Sequence, residues 1–80
     1  MKIPRDCRGW QLAKALRVLG YVPTRQSGSH LRVSTERDGQ NHETIPMHKA
    51  IKPGLLHGIL KHVADHHGLT VQELLDLLDL

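Results

Sequence analysis

The stretch "SGSHLRVSTERDGQ", residues 27–40, decides the fold. From Ser29 to Thr35 apolar and polar residues alternate, with Leu31 and Val33 on one side and His30, Arg32 and Ser34 on the other. A period of two marks a strand with one buried face. "ERDGQ" then supplies a hairpin turn, since Asp38-Gly39 tolerates the positive φ angles such turns require. Ser27-Gly28-Ser29 is a second small-residue turn, and it delivers His30 into the strand. Neighbouring strands are available on both sides. Tyr21 to Gln26 is one, with Pro23 marking it as an edge or irregular strand. "HETIPM", residues 42–47, is the other, with Ile45 and Met47 on its apolar side and Pro46 near its end.

Helices flank these strands. In "DCRGWQLAKALRVLG", residues 6–20, Leu12, Leu16 and Leu19 fall at i, i+4 and i+7, with Ala13 and Ala15 filling in and Trp10 near the start. Asp6 is the expected N-cap and Gly20 the residue just past the end. Arg8, Lys14 and Arg17 lie off the stripe, on a solvated face. "KPGLLHGILKHVADHHG", residues 52–68, has Pro53 in the first turn, a stripe of Leu56, Ile59, Leu60 and Val63, and Gly68 to end it. Thr70 and Glu73 form a capping box for a last, leucine-rich helix, whose wide apolar face docks on the core or meets a partner. The predicted fold is α+β: α-β-β-β-α with a short C-terminal helix, a three-stranded antiparallel meander and helices on one face only.

Eighty residues predict a single domain, 1–80, with a modest core and a function carried on a surface or shallow groove. The single Cys7 excludes an internal disulfide framework, fits a reducing cytoplasm, and reads as a partly buried small hydrophobe. No apolar run resembles a signal peptide or reaches membrane-spanning length, so no membrane partner is expected. A formal charge of +3 and a pI near 9.4 favour polyanionic partners, as they do in many unrelated basic domains.

Alternation has a consequence for function. Leu31 and Val33 face the helices, so His30 and Arg32 face away from them. The same parity sends out Tyr21, Arg25, Thr44 and His48. A histidine among cations and hydroxyls on an open sheet is a phosphate-facing surface or an ordinary solvated one.

"GYVPTRQSGSHLRV", "RDG" and "IPMHKAIKPGLLHGILKHV" together resemble the HicA family, messenger-RNA-cleaving toxins of prokaryotic toxin–antitoxin pairs. The likeness covers roughly residues 12 to 78 and is carried by Gly20-Tyr21, Gly28-Ser29-His30, the Pro-x-His of residues 46–48, and Lys52-Pro53-Gly54. It implies a double-stranded-RNA-binding-like fold and a metal-independent endoribonuclease, with no cofactor, whose catalytic histidine corresponds to His30. It also implies two partners, an mRNA substrate and a HicB-like antitoxin. The oligomeric state is left open.

The residues suit that chemistry. RNA carries its own nucleophile, the 2′-hydroxyl, and histidine as a residue type exchanges protons near neutral pH. His30 is the expected general base, with Arg25 and Arg32 neutralising phosphoryl charge. Gly28 lets a substrate backbone approach, while Ser27 and Ser29 shape the turn or donate to phosphate. His48 fits an acid partner of His30, a phosphate ligand, or a strand end with no role. Lys49 and Lys52, at a helix start, extend RNA binding or are simply solvated. Two rivals stand beside this reading. One is a non-catalytic RNA-binding module. The other is a metal site on His62 and His66, which lacks the glutamate of the metalloprotease pattern; those histidines read as solvated.

Overall fold

The computed structural model describes residues 3–47 and 49–80, so His48 lies outside the described residues. Helix α1 spans Gly9–Ala15 and runs on as a 3₁₀ turn, Leu16–Leu19; strands β1 (Val22–Ser27), β2 (His30–Thr35) and β3 (Asn41–Pro46) follow, then helices α2 (Pro53–His66) and α3 (Val71–Leu78). The predicted α-β-β-β-α order with its C-terminal helix is the observed one. The sheet is antiparallel with strand order β1-β2-β3.

Leu12 and Leu16 from the first helix, Val33 and Ile45 from the sheet, and Leu56 and Leu60 from α2 meet in one core, each fully buried. Burying a side chain of this size stabilises by about 1.5–3 kcal/mol, and this term decides which sheet face turns inward. Helix α3 docks on the same core through Leu74, Leu75 and Leu78. Its capping box is formed: the Glu73 N–H donates to Thr70 Oγ1 at 3.0 Å, and the Thr70 N–H donates to Glu73 Oε1 at 2.9 Å. Cys7 is buried at the edge of this core, and burial pushes its thiol up, away from the reactive thiolate.

The structure corrects several expectations. The first helix starts at Gly9 with Arg8 as N-cap, not at Asp6, because the Gln11 side chain accepts the Arg8 N–H at 2.8 Å. Trp10 sits off the buried stripe and is 57% exposed. Tyr21 faces inward and is fully buried, although the alternation sends it outward together with Arg25. Both cannot share a face, because the β1–β2 register shifts between Pro23 and Arg25. Thr24 is the extra residue of that bulge, and it reverses the parity of everything before it. Its hydroxyl stitches the bulge to β2, meeting Ser34 Oγ at 3.0 Å and the Arg32 carbonyl at 3.3 Å.

Candidate functional site

The outward sheet face is arranged in three rows. Ser27, His30 and Pro46 form the first; Arg25, Arg32 and Thr44 the second; Val22, Ser34 and His42 the third. Among the described residues no carboxylate stands on this face. The bulge that buries Tyr21 is also what turns Arg25 outward, directly opposite Arg32. Paired side chains across antiparallel strands stand about 5 Å apart, and like charges there destabilise. Among the described residues neither arginine has an ion-pair partner. This uncompensated pair is what an incoming anion would relieve.

His30 opens β2 immediately after the turn. Ser27 pairs with His30, which leaves Gly28 and Ser29 as a two-residue loop. Gly28 has φ +58° and Ser29 is not in the positive-φ region, the pattern of a type II′ turn with glycine first. A side chain at Gly28 would meet nothing within 4 Å, so the turn's outer side is open to an approaching ligand. The Ser29 carbonyl is not free: it accepts the Met47 N–H at 2.6 Å, fixing the turn to the end of β3. The imidazole of His30 is exposed.

Beside this turn lies an open cleft of about 270 Å³, lined by Ser29, Pro46, Lys49, Ala50, Lys52 and Leu55. Lys52 is the N-cap of α2, and no side chain caps that helix end. Its first-turn N–H groups and the positive end of the helix dipole are therefore available where Lys49 and Lys52 converge. The predicted residues thus fall into two adjoining groups. His30, Arg25 and Arg32 occupy the open face with Gly28 at its turn. Ser29, Lys49 and Lys52 occupy the cleft, joined to the first group through the Ser29–His30 peptide and the His30–Pro46 pairing.

One residue of this face escaped the sequence reading. His42 shares it with His30, and its Nδ1 lies 2.6 Å from Ser34 Oγ, which continues to Thr24. The parity of Thr44 already implied this position. His42 and His30 lie two rows apart, about 13 Å at strand spacing, too far to act on one phosphate together.

Of the histidines of residues 57–67, His62, His66 and His67 have hydrogen-bond partners, while His57 is exposed and the His62 side chain stays 62% exposed. His67 Nδ1–H donates to Asp38 at 2.9 Å, and its Nε2 lies 3.1 Å from the Tyr21 hydroxyl, which accepts from Asn41 Nδ2 at 2.6 Å. Asn41 also donates to the buried Glu43 carboxylate, whose other donor is His62 Nδ1–H. His66 donates from Nε2 to the Gly39 carbonyl at 2.9 Å. These contacts clamp α2 to the β2–β3 hairpin, and none reaches His30. Burial, with help from the Glu43 charge, pushes the Tyr21 phenol up against the opposing hydrogen bond from Asn41. His62 and His66 point at different partners, and no group of three metal-binding side chains occurs among the described residues.

No described helix is long and apolar enough to cross a membrane. Neither the curated proteins nor the solved structures give a match to the chain. Residues 9–64 match the model of a family described as "HicA toxin of bacterial toxin-antitoxin", a span running from the first residue of α1 into α2 and holding the whole sheet with both groups of candidate residues. By that match over most of its length, the chain belongs to the HicA family of toxins of bacterial toxin–antitoxin systems.

Proposed function

We propose that the protein is an endoribonuclease that cleaves mRNA in the cytoplasm and is held inactive by a HicB-type antitoxin. The observation that carries this reading is the open His30 turn on a sheet face that, among the described residues, holds two mutually opposed arginines without an ion-pair partner and no carboxylate. His30 takes the proton of the 2′-hydroxyl as that oxygen attacks the adjacent phosphorus. The P–O5′ bond breaks, leaving a 2′,3′-cyclic phosphate on one product and a 5′-hydroxyl on the other, which takes up a proton. The substrate brings the nucleophile, so the step calls for no metal. Arg25 and Arg32 take the charge that builds on the non-bridging oxygens, a task suited to guanidinium groups. Lys49, Lys52 and the uncapped start of α2 hold a flanking phosphate, and the Gly28 turn admits the backbone.

The test expresses wild type and His30→Ala without an antitoxin and follows growth and RNA integrity, then repeats the cleavage with purified proteins. Loss of cleavage in a folded His30→Ala protein supports the assignment. Equal degradation by both proteins rejects it, and intact RNA bound by the wild type would point to a non-catalytic binding module.

A further inference from the structure

Trp10 is the chain's single tryptophan, and it is exposed, whereas the single tyrosine is buried. Of the chain's tryptophan and tyrosine rings, only that of Trp10 is thus offered to a ligand. It lines an open groove of about 280 Å³ with Lys14, Arg17, Pro23, Leu31 and Met47. Trp10, Lys14 and Arg17 stand at i, i+4 and i+7, so the groove carries an indole followed by two cations on one helical stripe. Between Cys7 and Thr35 the chain contains Arg8, Lys14, Arg17, Arg25 and Arg32 but no carboxylate. Neither Lys14 nor Arg17 has an ion-pair partner among the described residues.

The groove opens on the helix side of the sheet, where Leu31 lies, and comes next to the proposed active face only at the strand ends that carry the turn. Gly9, the residue before Trp10, is pressed so closely on Pro46 that a methyl group there would overlap the Pro46 carbonyl oxygen. Pro46 is the cross-strand neighbour of His30. Met47, at the groove, is hydrogen-bonded to the Ser29 carbonyl beside His30. The stripe therefore starts beside the strand ends that carry the turn and leads away along α1.

We propose that this groove is a subsite for single-stranded RNA: one nucleobase stacks on Trp10, and Lys14 and Arg17 hold the phosphates that follow. This deepens the nuclease reading and rests on it for the identity of the polyanion. An indole reaches the face of a base only where that base is unstacked, which selects single strands over duplexes. The groove is small for a folded partner element, and an aromatic ring followed by cations is the pattern of sequence-tolerant single-strand binding.

The test uses Trp10 as its own reporter. Tryptophan emission is titrated with a short single-stranded 2′-O-methyl RNA, which cannot be cleaved by 2′ attack, with the matching duplex, and with an acidic leucine–glutamate peptide. The single strand should quench emission, with a midpoint that weakens as salt rises. In binding followed by a labelled oligonucleotide, Trp10→Ala should lose about tenfold in affinity, and Trp10→Phe should recover most of it. A Lys14→Glu, Arg17→Glu protein should bind at least as weakly as Trp10→Ala and show a shallower salt dependence. All three positions are exposed, so the variants keep the fold, which thermal melts check. Unchanged emission at saturating RNA, equal quenching by the duplex, or quenching by the acidic peptide alone would overturn the subsite; the last would give the groove to a protein partner. Because the probe is not cleaved, these outcomes bear on the subsite alone, while continued cleavage by His30→Ala bears on the nuclease chemistry alone.

Discussion

His30 and the histidines at the C-terminal end of α2 are the same residue type put to opposite uses. His30 stands at an open turn with arginines nearby and no hydrogen-bond partner among the described residues. His62, His66 and His67 each reach across to the hairpin that β2 and β3 form, and His67 is almost wholly enclosed. The difference teaches that an imidazole can meet a substrate only where at least one ring nitrogen is left open. Once both ring nitrogens are engaged, as in His67, the group holds two elements together and presents no open nitrogen to a substrate.

That contrast can be broken from either side. The largest effect belongs to His30→Ala: RNA cleavage should fall by about 10²- to 10⁴-fold, the usual worth of a general base, while stability stays within about 0.5 kcal/mol. His67→Ala should do the reverse. It takes away the buried Tyr21 hydroxyl's acceptor and leaves only the hydrogen bond from Asn41, so denaturant unfolding should report a loss of about 1–3 kcal/mol, with cleavage per folded molecule unchanged. A subtler separation comes from Arg25→Gln. Removing one of two opposed cations should stabilise the sheet by about 0.2–1 kcal/mol yet weaken RNA binding and lower its salt slope by about 0.7. A melting series paired with RNA titrations at several salt concentrations reads both signs at once.

The smallest effect concerns pH. The hydrogen bond from His67 holds the Asp38 carboxyl below the ordinary aspartate range, with smaller help from the charges of His67, Arg37 and His66. The folded state therefore favours the ionised carboxylate. Its contribution is present above the unfolded-state pKa of aspartate and is lost as pH falls through the lower, folded-state value. Asp38→Asn should flatten the acid limb of a stability–pH curve without changing the cleavage activity of folded protein. An unchanged acid limb would detach Asp38 from the clamp.

Much of this was legible in the residues alone. Leu31 and Val33 against His30 and Arg32 fix a one-sided strand, because a slip of one residue would expose the whole apolar set. Thr70 and Glu73 announce the last helix because a capping box is a purely local bond pair. The bulge at Thr24 was not legible. Pro23 signalled irregularity, yet which residue would be extruded depends on burying Tyr21 beneath the hairpin, a gain that appears only when α2 is in place. The clamp escaped for a related reason: Tyr21 and His67 are 46 residues apart, and His67 and Asp38 29 apart. No spacing rule links such positions.

By itself, then, the sequence determined the element order, the buried stripes of the first two helices, the Gly28 turn and the outward direction of His30 and Arg32. These follow from periods of two and 3.6 and from the conformational limits of single residues, all of which act within a few positions along the chain. Tertiary structure decided which of the remaining polar groups were free. It turned Arg25 to face Arg32, gathered Ser29, Lys49 and Lys52 into one cleft, left Trp10 on a cationic groove, and gave His62, His66 and His67 hydrogen-bond partners on the hairpin. Those outcomes depend on which distant surfaces meet, and hydrophobic burial sets that for the chain as a whole.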